Sequence, residues 1–277
     1  MKMAHKFPKR EVDKLIMPKL ECMTKFNEEV TLIIKTFKRP TCLARLIKSV
    51  RKRYLDMHIL IADDSELHRM TVEEFNDHGF GHAIKYWKLP FYVGAGAGRN
   101  FLLSKVETPY FILCDDDFIF IDETVLENFY KLITTEKMDV VGGFVIGHSY
   151  NIQAEYDNGM LILNKDVPVA EINGIKYYDI IMNFFIAKTQ LMRNVGWMPE
   201  LKTVSHIDIF LNLKERGNVK VAFTNNVIID HKHETENDYS KYRRDIYKYY
   251  DILKGRFGIE DIFYKIGPQI IPFTKGK

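Results

Sequence analysis

No stretch of this 277-residue chain is long and apolar enough to span a bilayer or to form the core of a signal peptide, although residues 2–20 are basic. A water-soluble protein is therefore expected: cytoplasmic, or in the Golgi lumen if the chain is a piece of a longer anchored one. Charge of one sign is also missing. Lysine and arginine number 40 against 37 aspartates and glutamates, which removes the bulk electrostatic signature of a nucleic-acid binder. There are three cysteines, Cys22, Cys42 and Cys114, with no zinc-type spacing. Two fall in segments that read as buried helix or strand, so a reducing compartment is the simplest expectation. Internal repeats and low-complexity linkers are absent too.

Nearly half the residues, 46%, are hydrophobic, enough for one large buried core. Val30 to Lys35 is a β-rich apolar run, and Pro40 opens a segment with Leu43, Leu46, Ile47 and Val50 at helical spacing. His58 to Ala62 is a second short strand ending in Asp63 and Asp64. Tyr110 to Cys114 is a third, ending in Asp115, Asp116 and Asp117. Continuous apolar strands alternating with helices predict an α/β fold with a mainly parallel sheet, whose ligands bind beyond the carboxyl ends of the strands. In the second half, Asn173-Gly174 between Val169 to Ile172 and Ile175 to Tyr177 predicts a hairpin, and hence a smaller antiparallel extension. Ile207 to Arg216 reads as a helix stopped by Gly217. Val221 to Phe223 and Val227 to Ile229 read as the last strands, followed by Asp230, His231 and His233. The expected organisation is an N-terminal extension over 1–29, a catalytic domain over 30–236 and a helical tail over 237–277.

Three adjacent carboxylates repel one another unless a cation or outward geometry relieves them. Asp115 and Asp117, on one side of an extended segment, are candidate ligands of a hard divalent ion, Mn2+ or Mg2+, that also takes diphosphate oxygens. His231 and His233 are rival candidates for a third ligand. Gly94-Ala95-Gly96-Ala97-Gly98-Arg99-Asn100 lets backbone approach a ligand while Arg99 offers a charge-assisted fork, although the spacing is not that of a dinucleotide fingerprint. Thr36 to Arg39, Asp63 and Asp64 bring polar groups to the same predicted edge, where an Asp binds ribose hydroxyls or a base imide.

Read together, VTLIIKTFKRP, ILIADDS, GAGAGRN, YFILCDDDF, DVVGG, NFFIAKTQLMRNVGW, SHIDIFLNL and VIIDH resemble, in order, the inverting GT-A glycosyltransferases. The resemblance is to family 2 and, more closely, to the β-1,4-N-acetylgalactosaminyltransferase family, over roughly Val30 to His231. It implies a DxD-type motif at Asp115, Asp116 and Asp117 holding a metal-bound nucleoside diphosphate, with nucleoside contacts from Asp63, Asp64, Arg99 and Asn100. It implies a UDP-sugar donor and a glycan or glycolipid acceptor, with Asp208 as the general base that lets the acceptor hydroxyl displace UDP with inversion. A helix dipole should keep that carboxylate ionised. Asn183, Trp197 and His206 match positions beside donor or acceptor, and core packing is the expectation for Phe184. Competing readings are a sugar nucleotidyltransferase, for which a basic glycine-rich motif after the first strand is missing, and a glycan-binding protein on a transferase scaffold. The tyrosine-rich basic segment from Tyr239 to Arg256 is a candidate for peripheral membrane contact, set against the simpler reading of a charged helix covering the domain.

Overall fold

The structure is a computed structural model that describes residues 20–66, 83–232, 241–242 and 246–273, with side chains from residue 25 onward. After helix α1 (Leu20–Glu29), strand β1 (Val30–Thr36) enters the centre of the molecule. It is flanked in parallel by β2 (His58–Asp63) and β4 (Tyr110–Asp115), with β3 (Ile84–Lys88) parallel to β2 at the edge. Strand β1 is apolar at successive positions because both of its faces are covered. Leu32 and Ile34 pack into one buried cluster with Ile59, Ile61, Ile112 and Cys114, while Ile33 joins the other with Leu60, Phe111 and Leu113.

Helix α2 (Pro40–Arg51) begins with Pro at its first turn, where the missing N–H costs nothing, and buries Cys42, Leu43, Leu46, Ile47 and Val50 along one stripe. Helix α3 (Ala95–Lys105) packs on β1 and β2. The glycine-rich segment, expected as a loop before a helix, is the first turn of α3 itself. Its small residues make room for protein. A Cβ at Gly96 would stand 2.3 Å from the Met198 carbonyl oxygen, and one at Gly98 would stand 2.8 Å from Cγ of Lys35. Only Gly94, ahead of the helix with φ of 97°, needs glycine for its backbone angle.

Beyond β4 come a three-residue strand β5 (Phe118–Phe120), helix α4 (Glu127–Thr135) and β6 (Val140–Val145). The pair β7 (Ile152–Asp157) and β8 (Met160–Lys165) leaves the main sheet. Strands β9 (Ala170–Ile172) and β10 (Ile175–Tyr177) form the expected hairpin, with Asn173 and Gly174 both at positive φ. The next elements are β11 (Phe185–Lys188), helix α5 (Thr189–Val195), helix α6 (Ser205–Arg216) and β12 (Val221–His231). The main sheet runs β3-β2-β1-β4-β11-β6-β12-β10-β9, parallel on one side and mostly antiparallel on the other, as expected.

Two expectations differ from what is observed. The two last strands are one, β12, with an irregularity between Phe223 and Ile228, so Asp230 and His231 lie inside a strand and not after it. The supposed helical tail holds helix α7 (Ile246–Phe257), which buries Tyr249 and Leu253, and then β13 (Asp261–Ile266) and β14 (Gln269–Pro272). These join β8 and β7 in a second, four-stranded sheet, because β13 finds a parallel partner in β8. Tyr247 and Ile252 are the exposed apolar residues of α7, and no described helix is long and apolar enough to cross a membrane.

Gly142 and Gly143 let β6 lie against the residues before β11. A Cβ on Gly143 would meet Cζ of Phe129 and Cδ1 of Phe184, each at 2.8 Å. Phe184 is fully buried core, as expected. Gly143→Ala should therefore cost about 1–3 kcal/mol through overpacking. Urea denaturation should show this as a lowered midpoint with an unchanged slope, and an unmoved midpoint would refute the packing described.

Candidate functional site

The parallel register sets Lys35 beside Asp115 and Thr36 beside Asp63, so the chemistry-bearing ends of β1, β2 and β4 share one edge. The acidic triplet divides at that edge. Asp116 turns inward and is fully buried, accepting a hydrogen bond from Thr36 Oγ1 at 2.6 Å and pairing with Nη2 of Arg39. Arg39 also donates from Nη1 to Asp117 Oδ2 at 2.6 Å, so one guanidinium bridges two of the three carboxylates. Burial pushes the Asp116 carboxyl up from its ordinary pKa, against the pull of Arg39. Burial acts in the same direction on Asp117, but the hydrogen bond from His231 and the charge of Arg39 outweigh it and hold that carboxyl low.

His231 reaches the triplet because β5, directly after it, pairs antiparallel with the end of β12, setting His231 opposite Phe118. Its Nε2 lies 3.2 Å from Asp117 Oδ2, and the backbone N–H of Lys232 donates to the Asp117 carbonyl at 3.1 Å. Contact with Asp117 raises the pKa of His231. His233 lies outside the described residues. Carboxylate and imidazole are both donors that a divalent ion such as Mn2+ accepts, and Asp117 and His231 stand together, although in this structure Asp117 Oδ2 is shared between His231 and Arg39 Nη1. Asp115 does not join them. It is held by Arg99 Nη2 at 2.9 Å and Asn183 Nδ2 at 3.2 Å, and no three His, Cys, Asp or Glu side chains gather as a metal cluster among the described residues.

Asp63 and Asp64 are both buried and engaged. Asp63 accepts hydrogen bonds from Ser65 and, at 2.6 Å, from Tyr86 Oη, whereas Asp64 takes Lys35 Nζ at 2.5 Å and the Gly94 N–H at 2.9 Å. Asn100 uses both ends of its amide on the Trp197 backbone, at 2.7 and 2.9 Å, and so clamps α3 to the segment before α6. Its place is structural. The ring of Trp197 is buried, with the Arg99 guanidinium 5.9 Å from its centre.

A cleft enclosing about 740 Å³ of space open to solvent lies over this edge. Lys35, Arg39, Arg99 and Lys202 line it together with Asp115, Asn183, Thr203, Ser205 and His206. Lys35 is paired to Asp64, Arg39 to Asp116 and Asp117, and Arg99 to Asp115, so among the described lining cations Lys202 alone has no carboxylate partner. Guanidinium and ammonium donors at a cleft suit phosphate oxygens, which can replace the carboxylates that hold them. Phe37, Tyr92 and Tyr242 form an aromatic side, their ring centres 5.0–5.3 Å apart, and Lys202 Nζ sits 4.2 Å from the centre of the Tyr92 ring. Three residues that line the cleft carry buried polar atoms without a hydrogen-bond partner among the described residues, Asn183 Oδ1, Thr203 Oγ1 and Arg99 Nε; Trp197 Nε1 and Asp208 Oδ1, outside the lining, are also buried and unpartnered. Native proteins rarely leave such atoms unmet, so those that line the cleft are available to a polar ligand.

Asp208 sits in the first turn of α6, fully buried, with Oδ2 taking the Met198 N–H at 2.6 Å. Burial pushes its pKa up to about 7, overriding the amide hydrogen bond and the nearby Arg99 charge. The helix start therefore does not keep this carboxylate ionised in the way the sequence suggested. His206, two residues earlier, turns into the cleft, and its Nε2 lies 2.9 Å from the Ile181 carbonyl. Burial lowers its pKa to about 4 and keeps it neutral, so Nε2 carries the proton and donates. Sequence reading assigned no site role to Phe37, Tyr92, Lys202 or Tyr242; the available signals were that Phe37 lies within the polar segment Thr36 to Arg39 and Tyr242 within the tyrosine-rich basic segment.

The family model described as Glycosyl transferase family 2 matches residues 31–193. Beta-1,4 N-acetylgalactosaminyltransferase 2 of Mus musculus is 34% identical over 258 residues, covering 86% of this chain and 48% of the relative. Beta-1,4 N-acetylgalactosaminyltransferase 1 of Homo sapiens is 31% identical, covering 73% and 38%. The chain thus spans half or less of these relatives. Among solved structures, S. aureus TarS 1-349 in complex with UDP-GlcNAc superposes with a TM-score of 0.57 at 17% identity, over 81% of this chain and 65% of that one. GalNAc-T7 with UDP, GalNAc and Mn2+ superposes with a TM-score of 0.59 at 15% identity, over 75% and 44%. The fold is the GT-A fold.

Removing the Arg39 bridge should strand two buried carboxylates. Arg39→Ala is expected to lose about 3 kcal/mol at pH 8, the usual scale for breaking a buried pair. Because the Asp116 pKa is raised to about 6, that carboxyl becomes neutral at pH 5 and the loss should shrink there. Equal losses at both pH values in urea denaturation would contradict the bridge.

Proposed function

We propose that this chain, which belongs to glycosyl transferase family 2, transfers a sugar from a UDP-sugar to an acceptor hydroxyl with inversion at the anomeric carbon. The observation that carries the reading is the cleft at the carboxyl ends of β1, β2 and β4, lined by Lys35, Arg99 and Lys202 and by buried atoms of Asn183 and Thr203 that lack partners among the described residues. A diphosphate would meet Arg99, Lys202 and Lys35, and sugar hydroxyls would meet Asn183, Thr203 and Trp197. The named relatives favour N-acetylgalactosamine as the sugar and a glycan or glycolipid as acceptor.

Asp117 and His231 would hold the divalent ion, Mn2+ or Mg2+, with Asp115 as a further oxygen donor once Arg99 and Asn183 release it. A bound ion supplies positive charge to the departing diphosphate. The residues of the chain do the rest. Arg99 neutralises Asp115 in the free protein and turns its fork to phosphate when donor arrives. Asp208 accepts the proton of the acceptor hydroxyl as that oxygen attacks the anomeric carbon, while the bond from that carbon to the diphosphate breaks and UDP departs with the electron pair. A β-glycoside follows from an α-linked donor. The base needs an ionised Asp208, and a pKa near 7 makes it strong enough to take a proton and still largely ionised just above neutrality.

Isothermal titration with UDP and UDP-sugars, with Mn2+ and with chelator, tests the donor site. Metal-dependent binding of UDP is expected, with Asp117→Ala losing the metal-dependent part, and no nucleotide binding under any condition would sink the assignment. Transfer should rise with pH through a single ionisation near 7, since Asp208 is protonated and inactive below that value. Asp208→Asn should lower kcat by about 10²–10⁴-fold, the range for loss of a general base. A pH-independent rate, or full activity in Asp208→Asn, would remove Asp208 from this role.

A further inference from the structure

His148 stands against the far side of His231. Its Nε2 is 2.6 Å from His231 Nδ1, with ring centres 4.5 Å apart and planes at 66°. The turn that carries it is tied to the strand that carries His231. Strand β6 ends at Val145, Gly147 turns the chain at φ of 80°, and the His148 N–H donates back to the Val145 carbonyl at 3.1 Å. Between them, the Ile146 N–H donates to the Ile229 carbonyl of β12 at 3.0 Å. The His231 ring is therefore bracketed by Asp117 at Nε2, His148 at Nδ1 and the edge-on Phe118 ring, 5.4 Å away between centres.

An imidazole nitrogen binds a cation only through its lone pair. If Nε2 of His231 faces the cation beside Asp117, the ring proton sits on Nδ1 and needs an acceptor, which His148 Nε2 provides at 2.6 Å. Metal-bound histidines generally donate the other ring N–H to a fixed acceptor that sets their tautomer and orientation. The same donor direction serves the free protein, where a protonated His231 would donate to Asp117 and His148 at once. His148 thus keeps one role in both states.

We propose that His148 is a positioning residue for the divalent-cation site, its Nε2 accepting the Nδ1 proton of His231 and fixing the tautomer in which His231 Nε2 joins Asp117 on the ion. The proposal rests on the metal reading given above. His148 is an exposed residue, so water competes for its place and the effect should fall toward the lower end of the usual range for such partners.

The test is Mn2+ titrated into the full chain at saturating UDP, followed by calorimetry and by the electron-spin signal of free Mn2+. His148→Ala should weaken Mn2+ affinity about 10-fold. His148→Gln, whose amide oxygen can accept the same proton, should restore most of that affinity. Thermal unfolding, and UDP binding in chelator, should match the wild type in both variants. Unchanged Mn2+ affinity in His148→Ala alongside a large loss in His231→Ala would overturn the proposal while leaving the metal site standing. Equal losses in His148→Ala and His148→Gln would overturn the acceptor role. If His231→Ala itself leaves Mn2+ affinity unchanged, the metal reading falls and this inference falls with it.

Discussion

One guanidinium holds the acidic edge of the sheet together. Arg39 lies between Asp116 and Asp117 and compensates charge that would otherwise make three successive carboxylates at the end of a buried strand untenable. The rest of the edge follows from its position. With Asp116 drawn inward to Thr36 and Arg39, the chain direction leaves Asp115 on the cleft wall and Asp117 toward β12. The triplet is therefore three groups with three environments: a buried carboxyl with a raised pKa, an ion-paired one held low, and a cleft-facing one between Arg99 and Asn183.

The second constraint is topological. More than a hundred residues separate Asp117 from His231, and the short strand β5 closes that distance by pairing with the end of β12. Strand β12 also pairs in parallel with β6, which delivers the His148 turn to the other side of the His231 ring. Nothing local in these segments encodes the meeting; it depends on strand order in a ten-stranded sheet. Opposite, Asn100 clamps Trp197, and Gly96 admits the Met198 carbonyl, so α3 and the approach to α6 form the other jaw of the cleft.

What was legible in the sequence follows from these causes. Continuous apolar runs such as Val30 to Lys35 and Tyr110 to Cys114 marked central strands because both their faces are covered, and the carboxylates at their ends marked the ligand edge. Asn173-Gly174 announced its hairpin because both residues tolerate positive φ. Three features were hidden. The glycine-rich segment has helical backbone, and only tertiary contacts with Met198 and Lys35 reveal why its residues are small. Asp208 sits at a helix start, a place that predicts an ionised carboxylate, yet its burial depends on packing that no local pattern carries. Strands β13 and β14 looked like part of a tail because β8, the strand that joins β13 to the rest of the sheet, is about a hundred residues away.

The central claim is displacement at an anomeric carbon by a base-activated hydroxyl, and stereochemistry tests it most directly. Proton NMR of the chain incubated with α-linked UDP-N-acetylgalactosamine, Mn2+ and water as acceptor would report the anomer first released. The account predicts the β anomer first, followed by slow mutarotation. First appearance of the α anomer, or no cleavage of any UDP-sugar, would contradict it.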